Sequence, residues 1–152
     1  MAKAKVMERI IRCQKLGKLL FNFYLKKEIM KKVLLDSNFL ISCLKFKVDL
    51  EKIEELLNEK VKFLIPKPAL NEVKSLAGSK KRDSKFAKVA LHFINSKKIE
   101  VLEVEGSADD AILKLAEKDL IVATNDLSLR KKLKVGGIKT IYLRGRKKLG
   151  VE

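Results

Sequence analysis

The chain has 152 residues, 47% hydrophobic and 36% charged, which suits one compact domain with room for an appendage. Its 35 Lys and Arg against 19 Asp and Glu give a net charge of +16, which favours a polyanionic partner, nucleic acid first and an anionic membrane surface second. The cysteines are two, Cys13 and Cys43, without CxxC spacing, which argues against a disulfide framework or a zinc site and for a reducing cytoplasm; no run approaches the ~20 apolar residues of a membrane span, and no small-residue cleavage site follows the apolar start.

Residues 1–29 stand apart as a basic extension. Val6, Ile10, Cys13, Leu16, Leu20 and Phe23 recur at helical spacing with Lys and Arg opposite them, so the segment reads as a basic amphipathic helix. Half of the net charge lies within residues 1–32, which hold ten basic and two acidic side chains. Such a helix could pack, grip RNA or lie on a membrane surface. The main domain is read over residues 30–152.

From there a rhythm begins. "KVLLD" (32–36) is a short apolar run ending in Asp, "NFLISCLKF" has helical spacing, and "DLEKIEELLNE" adds a helix with Asp49 as its expected N-cap. "VKFLIP" (61–66) is a second strand, and "PALNEVKSLAG" a helix with Pro68 in its first turn and Gly78 after its end. Residues 79–98 read as a helix with Phe86, Val89, Ala90, Phe93 and Ile94 facing inward. Strand "IEVLEV" (99–104), helix "ADDAILKLAEKD", strand "LIVATND" (120–126), helix "LSLRKKLKVGG" and strand "KTIYLRG" complete the pattern. Short apolar strands alternating with helices predict an α/β fold: three layers, α/β/α, around a mostly parallel sheet of about five strands.

In such a sheet, ligands bind beyond the carboxyl ends of the strands. Asp36 and Asp126 each end an apolar run, Glu72 lies in the first turns of the helix after the second strand, and Asp109 in the first turn of the helix after the third. Singly, each acid has a structural reading as a helix cap, a turn residue or a partner of the helix dipole. Jointly, four acids converge on one rim of a basic protein with no cation in their own loops. Oxygen-only ligands suit Mg²⁺ or Mn²⁺, and clustered carboxylates holding such ions activate water and clamp phosphodiester oxygens. An acid rim on a phosphate-attracting surface points to a metal-dependent nuclease.

Four segments carry a family resemblance: "VLLDSNFLI", "IPKPALNEVKSLAG", "ADDAILKLA" and "IVATNDLSLRKKL". In this order they resemble the PIN-domain ribonucleases over roughly residues 31–149. The resemblance implies a catalytic and metal-binding quartet of Asp36, Glu72, Asp109 and Asp126, with Asn38 in the D-[ST]-N signature and Thr124 and Asn125 orienting Asp126 or a water. The tail "GIKTIYLRGRKKLGVE" resembles the archaeal and eukaryotic branch of ribosomal RNA processing. The implied function is a cytoplasmic, Mg²⁺- or Mn²⁺-dependent endoribonuclease. The alternatives are a toxin ribonuclease of the VapC kind held by an antitoxin, and a non-cleaving RNA-binding factor of the pre-ribosomal particle. Homodimers are common in the family.

Helix geometry separates the adjacent acids of "SADDAI". Residues 109, 112, 113 and 116 share one face, which turns Asp109 inward, with Leu113 beside it. Asp110, roughly 100° away, falls to a capping-box role behind Ser107 or to an outer position reaching a metal through water. His92 and the cysteines read as packing or surface residues. Of the basic runs, 78–85 and 144–150, the second offers Arg144, Arg146, Lys147 and Lys148 as RNA contacts.

Overall fold

The computed structural model describes Lys5 and residues 30–152. The amphipathic helix expected over residues 1–29, with Cys13 in it, otherwise lies outside the described residues. Six strands form one sheet: β1 (Lys31–Leu35), β2 (Val61–Pro66), β3 (Glu100–Leu102), β4 (Leu120–Ala123), β5 (Thr140–Arg144) and β6 (Lys148–Val151). The helices are α1 (Ser37–Lys45), α2 (Lys52–Leu57), α3 (Lys67–Ala77), α4 (Ser84–Ser96), α5 (Ala108–Leu115) and α6 (Leu127–Val135). The strand order is β3-β2-β1-β4-β5-β6, parallel throughout except for the antiparallel β5–β6 pair.

Strand β1 shows why the sheet is covered on both faces. Val33 and Leu35 join one core with Phe39, Ile53, Ala69, Val73 and Ala90 from α1 to α4. Leu34, between them, joins the other with Ile112 of α5 and Leu129 and Leu133 of α6. Alternate side chains of a strand point to opposite faces, so a continuous apolar run fills two cores at once. The three layers are α1–α4, the sheet, and α5–α6.

Several expectations change. The sheet has six strands, because "KLGV" forms β6 in place of a basic loop. Gly145, at φ +68, makes the reversal between β5 and β6. Gly150 allows the close approach: a Cβ there would stand 2.7 Å from Cζ of Tyr142. Asp49 does not cap α2, whose N-cap is Glu51; its carboxylate instead accepts the Glu51 N–H at 2.9 Å in the turn before the helix. Residues 79–83 are turns ahead of α4, and its buried stripe is Ala87, Ala90 and Ile94. Val89 faces solvent at 51% exposure, because the two alanines, not the larger side chains, set which face packs. Helix α5 stops at Leu115, where Ala116 turns extended and leads into β4.

Strand order reverses between β1 and β4, since β2 and β3 lie beyond one and β5 and β6 beyond the other. The connections from these two strands leave in opposite directions and open a crevice at their carboxyl ends, the preferred ligand position in an open α/β sheet. Asp36 follows β1 and Thr124 follows β4 at that point.

Candidate active site

Asp36 stands at the switch point, directly after β1. Its backbone N–H donates to the Ala123 carbonyl at 3.0 Å, which extends the β1–β4 pairing by one residue. The residue is buried, at 3% exposure. Although it stands at the N-cap of α1, its side chain makes no cap hydrogen bond, so the structural reading as a cap does not account for it. Instead Oδ2 accepts the Thr124 hydroxyl at 2.8 Å. Burial pushes its carboxyl up to about 6; Thr124 opposes the shift, and the charges of Glu72 and Asp109 add to it.

Thr124 is fully buried and does double duty. Its Oγ1 also accepts the Asp126 N–H at 3.2 Å, so a chain of bonds runs from the Asp126 backbone through the hydroxyl to the Asp36 carboxylate. Each bond polarises the next in such a chain. Asn125 points elsewhere: its Oδ1 accepts the Leu143 N–H at 2.8 Å and ties this loop to β5.

The other acids hold distinct positions. Glu72, on the exposed side of α3, accepts the Ser37 hydroxyl on Oε2 at 2.5 Å. Ser37 is buried at the first position of α1 and is a site residue that sequence reasoning missed; its signal was the hydroxyl directly after the strand-ending Asp. Asp126 caps α6, its Oδ1 accepting the N–H groups of Ser128 at 2.9 Å and Leu129 at 3.3 Å. Asn38 is exposed one position beyond Ser37.

Asp109 and Asp110 part company. Ser107 Oγ accepts the Asp110 N–H at 3.2 Å, one half of a capping box. Asp110 lies over the turn at Gly106, where its Cβ would stand 3.6 Å from an added Cβ and Lys114 Nζ 3.7 Å from it. Asp109 is exposed at the rim, close enough for its charge to act on Asp36. The inward face of α5 is nonetheless rolled from the one expected: Ala108, Ala111 and Ile112 are buried, and Leu113 is 36% exposed. Small alanines again select the packed face.

The donors fit a hard divalent cation in kind. All are oxygens, and the buried Asp36 carboxylate has like charges beside it. None of the four acids forms a salt bridge among the described residues, whereas Glu51, Glu54, Asp83, Glu100 and Glu152 do. No three His, Cys, Asp or Glu of the described residues are gathered around one point for an ion. The carboxylates that act on one another here are Asp36, Glu72 and Asp109, through the charges of the last two on the first. Arg144, Arg146, Lys147 and Lys148 are all exposed on the β5–β6 hairpin, and His92 is exposed on α4. Cys43 is buried and its thiol is pushed up to about 12 by burial, which leaves it an inert core residue.

Acids at the topological switch point of a three-layer α/β domain define a ligand-site position, and comparison with known proteins gives the class. Residues 33–146 match the model of the PIN like domain family. The chain is 35% identical over 124 residues to Ribonuclease VapC4 of Methanocaldococcus jannaschii, covering 78% of this chain and 94% of that one. It is 39% identical over 80 residues to Ribonuclease VapC9 of Archaeoglobus fulgidus, covering 51% and 55%. Among solved structures it is similar to the PIN domain endonuclease Utp24, with a TM-score of 0.64 at 28% identity over 80% of this chain and 90% of that one. The VapBC2 complex of Rickettsia felis, bound to a promoter DNA fragment, shares the fold at a TM-score of 0.52 and 14% identity over 74% of this chain and 99% of that one. The chain belongs to the PIN-domain ribonuclease family. Among the described residues no helix is long and apolar enough to cross a membrane.

Proposed function

We propose that the chain is a cytoplasmic endoribonuclease that hydrolyses RNA phosphodiester bonds with Mg²⁺ or Mn²⁺, and that ribosomal RNA maturation is its role. The observation that carries this reading is the buried Asp36 carboxylate, held at the β1–β4 switch point by Thr124 and raised by its surroundings, with Glu72 and Asp109 adding negative charge. A divalent ion bound there supplies charge neutralisation for the phosphodiester and activates water at neutral pH. Asp36 supplies the fixed ligand. Thr124 keeps Oδ2 of Asp36 engaged, and the carboxylate would hold the ion through its other oxygen. Ser37 holds Glu72 by a hydrogen bond, and Asp126, which spends one oxygen capping α6, would offer the ion its other. Arg144, Arg146, Lys147 and Lys148 are the phosphate contacts that hold the RNA in register. The tail "GIKTIYLRGRKKLGVE" favours the ribosomal role.

A second reading rests on the 35% identity to a ribonuclease named VapC4: a toxin held by an antitoxin protein. The two separate cheaply. A toxin arrests growth when expressed and is rescued by a neighbouring gene; a processing enzyme does neither. A binding factor without activity would hold RNA and never cut it. The direct test is incubation of the purified chain with single-stranded RNA in Mn²⁺ and in EDTA, with Asp109→Asn and Asp110→Asn in parallel. Cutting in Mn²⁺ alone, removed by Asp109→Asn and only weakened by Asp110→Asn, is expected. Equal loss from both variants would contradict the separate roles given to them, and no cutting by the wild type would contradict the nuclease reading.

A further inference from the structure

A second cleft lies away from the acids, between α2 and the β5–β6 hairpin. It has a volume of about 400 Å³ and is lined by Lys52, Glu55, Leu56, Lys147, Lys148 and Leu149. Its composition is unlike that of the acid crevice. Leu56, 41% exposed, and the half-buried Leu149 give it an apolar floor. Lys52, Lys147 and Lys148 are exposed around it, and none of the three pairs with a carboxylate among the described residues. Glu55 is the single acid in the lining.

We infer that this cleft is a subsite for a single-stranded stretch of RNA flanking the cleavage position, with a base resting on Leu56 and Leu149 and the adjoining phosphates on Lys52, Lys147 and Lys148. The inference deepens the proposed ribonuclease reading and rests on it for the identity of the polyanion. An apolar floor inside a cationic rim suits an unpaired nucleotide: the aliphatic floor of Leu56 and Leu149 offers a base apolar contact area in place of aromatic stacking, and the lysines neutralise phosphates. A duplex keeps its bases stacked and offers only phosphates. The site's volume lies within the range of small-ligand pockets, enough for a nucleotide unit.

One contact ties the hairpin to the acid rim, and a second ties it to the far end of α1. The hairpin is fastened to the loop of Asp126 through the bond from Leu143 N–H to Asn125 Oδ1. At the hairpin's turn, Arg146 carries its guanidinium 5.5 Å from the centre of the Phe46 ring, at the end of α1, and Lys45 stands 5.9 Å from the same ring. A cation held over an aromatic face loses little freedom when it meets a phosphate. Basic groups thus continue from the cleft over the hairpin to the C-terminal end of α1.

The test uses the full chain in EDTA, so that binding is read without cutting, against a fluorescent 20-nucleotide single strand and the same sequence as a duplex. Replacing Lys52, Lys147 and Lys148 together by Ala should weaken single-strand binding about tenfold or more at low salt and reduce the log–log salt slope by about 2, since each single-strand phosphate left without its lysine takes ~0.7 from the slope. Leu56→Ala should weaken the single strand and leave the duplex unchanged. Glu55→Gln should tighten binding. Unchanged thermal unfolding in each variant excludes misfolding, because the substituted side chains are exposed. A triple variant that binds the single strand with the wild-type slope would overturn the subsite, as would equal losses on single strand and duplex from Leu56→Ala. If instead the binding changes appear as expected but the wild type never cuts in Mn²⁺, the nuclease reading fails and the subsite stands as an RNA-binding cleft.

Discussion

The junctions after β1 and β4 look alike in sequence and differ in physics. Each is a buried apolar run, an Asp, and a helix: "VLLDSNFLI" and "IVATNDLSL". Asp126 spends one oxygen on two helix N–H groups, the ordinary work of an N-cap. Asp36 caps nothing, is buried, and has its carboxyl pushed up to about 6 against an ordinary 3.8. One acid stabilises the fold and the other is held at a cost to it. A buried acid that the fold destabilises when charged is a candidate functional position, and the difference between the junctions can be tested by substitution.

The largest effect is expected at Asp36. Its raised value means the folded state holds the proton more tightly than the unfolded chain. Its contribution to stability is therefore complete below about 3.8 and lost as the pH rises through about 6. Asp36→Asn removes that loss and should stabilise the metal-free protein by up to about 3 kcal/mol at pH 8, at ~1.4 kcal/mol per unit. Urea unfolding of both proteins from pH 3 to pH 8 should show curves that diverge across this window; parallel curves would contradict the burial assigned to Asp36. Next comes Thr124→Val, which strips the hydroxyl that bridges the two junctions. A loss of about 2 kcal/mol is expected for the buried groups left unpaired. Because that hydroxyl holds the Asp36 value down, the acid limb of the pH–activity profile should move to higher pH. At Asp126 the sign reverses. Asp126→Ala should cost about 1 kcal/mol through the lost cap, whereas Asp126→Asn, an equally good cap, should leave thermal stability nearly unchanged. A stabilising Asp126→Ala would erase the contrast between the junctions.

Much of this was legible in the sequence. The strands β1, β2 and β4 close in apolar stretches buried on both faces, and Asp36 and Asp126, which follow β1 and β4, fall at the rim by topology alone. What could not be read depends on partners far along the chain. Thr124 and Asp36 are 88 residues apart, and Ser37 and Glu72 are 35 apart, so the local motifs point to the residues but not to which partner each one bonds. The sixth strand hides in a basic run because its pairing relies on Gly150 meeting the Tyr142 ring. Arg130, whose guanidinium stacks 3.7 Å from that ring and bonds Glu152 at 2.7 Å, is hidden for the same reason. The roll of α5, with Leu113 outward, runs against the periodicity because alanines carry little hydrophobic weight yet permit the closest packing.

The central claim is that Asp36 is retained for chemistry and not for the fold. The measurement that tests it most directly is RNA cleavage in Mn²⁺ by the wild type and Asp36→Asn, with RNA binding followed in EDTA on the same preparations. Binding should be unchanged, and cleavage should fall by at least about 100-fold, in the range seen when one electrostatic element of an active site is removed. Because the variant is expected to be the more stable protein, unfolding cannot explain the loss. Cleavage by Asp36→Asn at the wild-type rate would contradict the account.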